Sequence, residues 1–204
     1  MAIGNEQILR WNERGLNIFA SIPCSQLTQD LKSHIPFKAT GSLVVLGSGG
    51  PSFWKNFPTP LNPQLHPLDS FCRDQILQWG KYGLQEDLSQ KILFPRYDLH
   101  FPLQQLGRFL NLCAPSPLGI DISQEYGLWF AFRGVFITEK TLPVKMNESF
   151  KSPCEGCRDR HCLNFADDFI KARLSCPIKQ EERYSVKQLA YHQSVLDERL
   201  IPNI

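Results

Sequence analysis

Apolar and polar residues recur with two different periods along this chain, and the places where the period changes mark its elements. Ile8 to Leu16 is amphipathic at helical spacing, Asn17-Ile18-Phe19-Ala20 reads as a short strand, and Ser25 to Leu31 reads as a further helix. Ser42-Leu43-Val44-Val45-Leu46 is apolar and rich in β-branched residues, which suits a central strand, and Gly47-Ser48-Gly49-Gly50-Pro51 is expected to end it in a turn. Helices are predicted from Pro67 to Gly80, where Leu68, Phe71, Cys72, Ile76 and Trp79 share a face, and from Pro102 to Cys113, with Leu103, Leu106, Leu110 and Cys113 aligned. The most β-like segment is Tyr126 to Thr138. Alternation puts Leu128, Phe130, Phe132 and Phe136 on one side and Trp129, Ala131, Val135 and Ile137 on the other, so both faces call for burial. A polar stretch from Lys145 to Lys151 precedes a cysteine-containing tail. Ser185-Val186-Lys187-Gln188 has the form of a capping box and opens a last helix.

Composition narrows the function more than the fold. The chain has 204 residues, 42% of them hydrophobic, enough for one sizeable core. The 22 basic residues are interspersed with 20 acidic ones for a net charge of +2, with no basic stripe of the kind that nucleic acid or an anionic membrane requires. The start MAIGNEQILRW lacks the basic and apolar runs of a secretory signal, and no apolar stretch reaches the roughly 20 residues of a membrane span, so a cytoplasmic setting is expected. In a reducing compartment clustered thiols serve as metal ligands or redox groups more often than as disulfide partners.

Four of the seven cysteines are clustered. Cys154, Cys157 and Cys162 are separated by two and then four residues, and Cys176, followed by Pro177, comes after thirteen more. Two residues between ligands let a tight turn aim both sulfurs at one centre, as in zinc and cubane iron–sulfur sites. The alternative is four ordinary thiols, one or two of them buried as small apolar groups. His161 is a possible substitute ligand, while Cys24, Cys72 and Cys113 are isolated and read as core. Arg133 is the single charge between Tyr126 and Ile137. A guanidinium in so apolar a strand needs a partner: either a carboxylate, phosphate or amide of a ligand, or an acid such as Glu125 or Asp121. Gly47 to Gly50 lacks both the third glycine of a dinucleotide fingerprint and the lysine of a P-loop. Adjacent Asp167 and Asp168 read as a solvated helix face, and His66, His100 and His192 suggest no triad.

The ordered segments Ala114-Pro115-Ser116-Pro117-Leu118-Gly119-Ile120 and Glu125-Tyr126-Gly127-Leu128-Trp129-Phe130-Ala131-Phe132-Arg133-Gly134 resemble bacterial ferredoxin-like relatives of the CblC cobalamin-processing protein. The likeness runs upstream through Pro67-Leu68-Asp69 and Leu93-Phe94-Pro95, and downstream through Pro153-Cys154-Glu155-Gly156-Cys157 and Glu182-Arg183-Tyr184-Ser185 with Gln188, Ala190 and Tyr191. It implies an α+β nitroreductase-like sandwich of a mixed sheet with flanking helices, as in CblC and the N-terminal part of epoxyqueuosine reductase. Residues 1–144 would form the ligand-binding domain, and 145–204 a cysteine-containing segment whose closing helix packs on it.

That resemblance implies a corrinoid in the cavity and reductive removal of its upper axial ligand, with a thiol or an electron donor as partner. Trp129, Phe130, Arg133 and Tyr184 would contact the cofactor. Arg133 matches the family arginine associated with the thiol cosubstrate and would act in catalysis. Cys154, Cys157, Cys162 and Cys176 would hold a 4Fe–4S cluster or zinc. The tail departs from the family pattern, which carries Ala-Cys-Pro after the third cysteine and then a second cysteine set. Here Cys162 is followed by Leu163-Asn164-Phe165-Ala166, which excludes two full clusters and brings zinc level with iron–sulfur. Two other functions stay open: an FMN-dependent reductase on the same fold, and a metal-stapled electron carrier or binding module without catalysis.

Overall fold

The main strands form where β-branched and aromatic residues run together, and a computed structural model places four of them in one sheet. It describes residues 10–57, 66–147 and 150–200, except for the side chains of 194–200. Strands β1 (Ile18–Pro23), β2 (Ser42–Gly49), β3 (Ile92–Phe94) and β6 (Phe130–Thr138) lie in the order β1-β2-β6-β3. Between β3 and β6 in sequence, β4 (Ala114–Pro115) and β5 (Asp121–Ile122) pair as a separate ribbon. Every pairing among these strands is antiparallel. The chain is therefore α+β, and the mixed sheet expected from sequence is corrected to an antiparallel one. β1 pairs along its whole length with Ser42–Gly47 of β2, antiparallel, so no crossover helix is needed between them.

Among the described residues, besides the helical residues 10–13, six α-helices lie about the sheet: α1 (Gln29–Ser33), α2 (Ser52–Lys55), α3 (Pro67–Trp79), α4 (Leu103–Phe109), α5 (Phe169–Ser175) and α6 (Val186–Leu200). The helix expected from Ser25 to Leu31 is instead a 3-10 turn over Cys24–Gln26 followed by α1. Thr28 divides the two, because its hydroxyl accepts from the Leu31 N–H at 3.3 Å and starts the new helix. Of the predicted opening helix, residues 10–13 are helical and residues 8 and 9 lie outside the described residues. α4 stops four residues before Cys113, since Asn111 takes the left-handed conformation at φ 54°. β2 continues through Gly49, so the predicted turn is confined to Gly50, where φ is +67°, and Pro51.

Both sheet faces are covered. Val44, Leu46, Ile92 and Phe136 pack with Phe53, Ile76 and Trp79 on the α3 side, while Leu43, Val45, Val135 and Ile137 pack with Leu31, Phe101 and Leu106 on the other. Phe132 and Phe136, placed on one face by simple alternation, belong to opposite faces. The reason is a β-bulge: Leu46 opposes Gly134 and Gly47 opposes Phe132, which leaves Arg133 as an extra residue and reverses the parity of everything before it. The C-terminal segment leans on this core through Trp54 with Tyr191, ring centroids 5.2 Å apart, and Trp129 with Tyr184, 5.5 Å apart. Among the described residues no helix is long and apolar enough to cross a membrane.

Glu86 ties the start of β3 to the end of β6. Its carboxylate accepts from Lys91 Nζ at 2.7 Å, from Thr138 Oγ1 at 2.5 Å and from the Glu139 N–H at 3.0 Å. Burial alone would raise its pKa, but these three donors outweigh burial and hold it below the ordinary glutamate value of 4.5. A depressed carboxylate adds stability that is complete above the unfolded-state pKa and disappears as pH falls through the folded-state one. Glu86→Gln is accordingly expected to lower the urea midpoint at pH 7, with the gap to the parent chain narrowing below pH 4.5.

Candidate functional site

The bulge aims Arg133 toward the α3 side of the sheet, where the strand would otherwise carry an apolar residue. Its Nε donates to Ser48 Oγ at 2.9 Å and its guanidinium lies 4.8 Å from the centre of the Phe53 ring. Neither acid considered from sequence pairs with it. Asp121 accepts twice from Arg108, with Nη2 at 2.7 Å, and once from Cys113 Sγ at 3.4 Å, while Glu125 sits against the Tyr126 hydroxyl. Among the described residues no carboxylate forms an ion pair with Arg133.

A second arginine is buried close enough to feel the charge of the first. Arg173 on α5 is only 6% exposed. Its guanidinium lies 4.8 Å from the ring centres of both Trp129 and Tyr184, and its Nη2 donates to the Leu128 carbonyl. Burial depresses its pKa; the nearby Tyr184 opposes that shift, and the like charge of Arg133 adds to it. Arg173 also forms no ion pair among the described residues. His192 on α6 is shifted down to about 3 by burial and by the charges of Arg133 and Arg173, so it stands neutral at pH 7. Its ring centre is 5.7 Å from that of Tyr184.

The sequence-predicted contacts Trp129, Arg133 and Tyr184 thus gather at one place. Phe130 is half-buried and packs edge-on against Phe132 at 5.6 Å. Trp129 is fully buried, and its Nε1 has no hydrogen-bond partner among the described residues. A separate cavity of about 570 Å³ is bordered by Asn17, Phe19, Tyr126, Lys145 and Lys179 and contains none of the four predicted contacts.

The chain matches no family model, no curated protein and no solved structure.

Arg173, Gln188 and His192 were not legible as site residues. Arg173 carried one sign, a position three residues before Cys176 on a helix otherwise rich in apolar groups. Gln188 was absorbed by the capping box, of which only half forms. The Ser185 hydroxyl accepts from the Gln188 N–H at 3.2 Å, but the Gln188 amide turns inward with both its atoms unpartnered.

The four clustered thiols lie beside this site. Cys176 caps α5 and packs with Ile122 and Leu128, against which Cys154 and Cys162 also pack. Burial raises the pKa of both Cys154 and Cys176, and each is raised further by the other thiols of the cluster, so the four share one electrostatic neighbourhood. A donor set of four sulfurs is that of a zinc or iron–sulfur site. Even so, among the described residues no three Cys, His, Asp or Glu side chains converge as a formed metal site. Cys157 Sγ instead donates to the Asp159 carbonyl at 2.7 Å, and His161 pairs with Asp159 at 2.9 Å. Cys24, Cys72 and Cys113 are buried in the core, their thiols pushed up chiefly by burial.

Proposed function

We propose that this chain binds a corrinoid and supports reductive chemistry at its cobalt, with Arg133 anchoring an anionic group beside the metal and Trp129, Phe130 and Tyr184 bordering the seat. The observation that carries this reading is Arg133 itself, re-aimed by a bulge, buried, and without a carboxylate partner among the described residues. Such an arrangement costs stability unless a ligand supplies the missing negative charge. The residues fit a cofactor bearing acidic or amide side groups, because the orphaned polar atoms of Trp129 and Tyr184 lie around Arg173, which is close enough to Arg133 to feel its charge. A corrinoid would supply a cobalt centre able to change oxidation state. The protein's part is to seat it, orient its polar rim and exclude water. Cys154, Cys157, Cys162 and Cys176 would hold zinc as a staple, or an iron–sulfur cluster as an electron relay.

The test is titration with cobalamin under reducing conditions, followed by absorption. Saturable binding with a shift toward the base-off spectrum is the expected result, together with a fall in affinity of about 10-fold or more in Arg133→Gln, the cost of losing a charged hydrogen bond. No spectral change at high micromolar protein would overturn the reading. FMN is the second reading, favoured by a pair of guanidiniums that suits a phosphate. A flavin band in the purified protein without affinity for cobalamin would select it.

A further inference from the structure

Every buried side-chain polar atom that lacks a hydrogen-bond partner among the described residues belongs to one of four residues: Trp129 Nε1, Arg173 Nε, Tyr184 Oη, and both Nε2 and Oε1 of Gln188. Three of these pack directly together, since the Arg173 guanidinium stands over both the Trp129 and the Tyr184 rings. The fourth is placed by helix geometry. Gln188 lies one turn before His192 on α6, on the same face, and His192 lies against Tyr184 and within reach of the charges of Arg133 and Arg173. Folded proteins leave few such atoms unpaired, and each one costs stability. These atoms gather around Arg173, with Tyr184 within its reach, while among the described residues the other buried polar side-chain atoms are satisfied; together they describe a site built for something else.

The chemistry of the set identifies that ligand. Trp129 Nε1 and Arg173 Nε only donate, the Tyr184 hydroxyl and Gln188 Nε2 can donate, Gln188 Oε1 is the one pure acceptor of the set, and the two guanidiniums bring two positive charges with no ion-paired carboxylate among the described residues. The neutral His192 adds no acid. We propose that Arg173, Gln188, Tyr184 and Trp129, with Arg133 nearby, form a seat for one oxyanion group, a phosphate or a carboxylate of a small molecule. The planar fork of an arginine matches two oxygens of such a group, and the amide and indole N–H groups complete it. This seat does not depend on the corrinoid reading: it would serve the acidic group of a corrinoid, a flavin or an unrelated ligand alike.

The test uses the full chain and thermal unfolding at matched ionic strength in chloride, inorganic phosphate or succinate. Phosphate or succinate is expected to raise the melting temperature by several degrees over chloride in a saturable way, and the more effective of the two names the group. Arg173→Gln should weaken that response about 10-fold or more, the loss of a charged hydrogen bond, yet leave the anion-free protein no less stable because an uncompensated buried charge is gone. Gln188→Glu provides a control on folding. It supplies the missing carboxylate from within, so the anion-free protein should melt higher and phosphate should add nothing. No response above chloride in the parent chain, an undiminished response in Arg173→Gln, or a lower melting temperature in Gln188→Glu would each overturn the proposal. Cobalamin binding can fail while the phosphate response stands, so the two readings fall separately.

Discussion

Phe136→Ala is expected to remove about 3–5 kcal/mol of stability, measured as the shift in denaturant midpoint. Phe136 is 0% exposed in the strand that holds the centre of the sheet. It opposes Val44 on one side and Ile92 on the other, and meets the Trp79 ring edge-on at 5.4 Å. Truncation loses the transfer free energy of the ring and leaves a cavity that three rigid elements cannot close. A domain of this size has only about 5–15 kcal/mol in hand, so the loss is a large fraction of the whole. Phe136→Leu, which keeps most of the volume, should cost much less. A cost for the alanine variant under about 1 kcal/mol would mean that Trp79 and Ile92 relax into the gap.

Gly49→Ala is the second large effect, and it reaches the site. A Cβ at position 49 would lie 2.3 Å from the Tyr126 ring, which rests flat on the glycine backbone at the end of β2. Tyr126 is buried and cannot swing into solvent without unpacking the turn that follows it. In that turn the Trp129 N–H donates to the Tyr126 carbonyl at 2.9 Å, and the Gly50 N–H donates to the Trp129 carbonyl at 2.8 Å. Overpacking of this kind costs about 1–3 kcal/mol, and the displacement passes along the turn to Trp129. The expected signature is a lowered midpoint together with a changed environment of the buried indole, seen by fluorescence. A double-mutant cycle checks the cause, since in a Tyr126→Ser background the same glycine substitution should cost far less. Equal costs in both backgrounds would locate the strain elsewhere.

How much of this was legible in the sequence depends on the range of the interaction concerned. The central strand around Val44 and Val45, the α3 face of Cys72, Ile76 and Trp79, and the two-sided burial of β6 all follow from local periodicity, and the structure shows each of them. What pattern could not supply was the bulge. One extra residue at position 133 is invisible to a count of apolar positions, yet it decides which face Phe132 takes and where Arg133 points. The strand directions were misjudged for a related reason. Parallel and antiparallel central strands are equally apolar, and it is the β1–β2 register, a tertiary property, that separates them. At the site, Arg133 stood out because its sequence neighbours are apolar. Gln188 did not, because Ser-x-x-Gln already has a sufficient local explanation, and only the burial of the amide shows that its side chain is engaged otherwise.

The seven-residue helix α5 joins two chemistries within one turn. It carries Arg173 against Trp129 and Tyr184, and it ends on Cys176, whose N–H donates back to the Arg173 carbonyl at 3.3 Å. A short helix turns or slides as a unit, so a force that draws the Cys176 sulfur toward the other three thiols also displaces the guanidinium, and an anion that fixes the guanidinium also fixes the sulfur. A metal held by the thiols and an anion held by the arginine would then be thermodynamically linked, each altering the affinity for the other by the same factor.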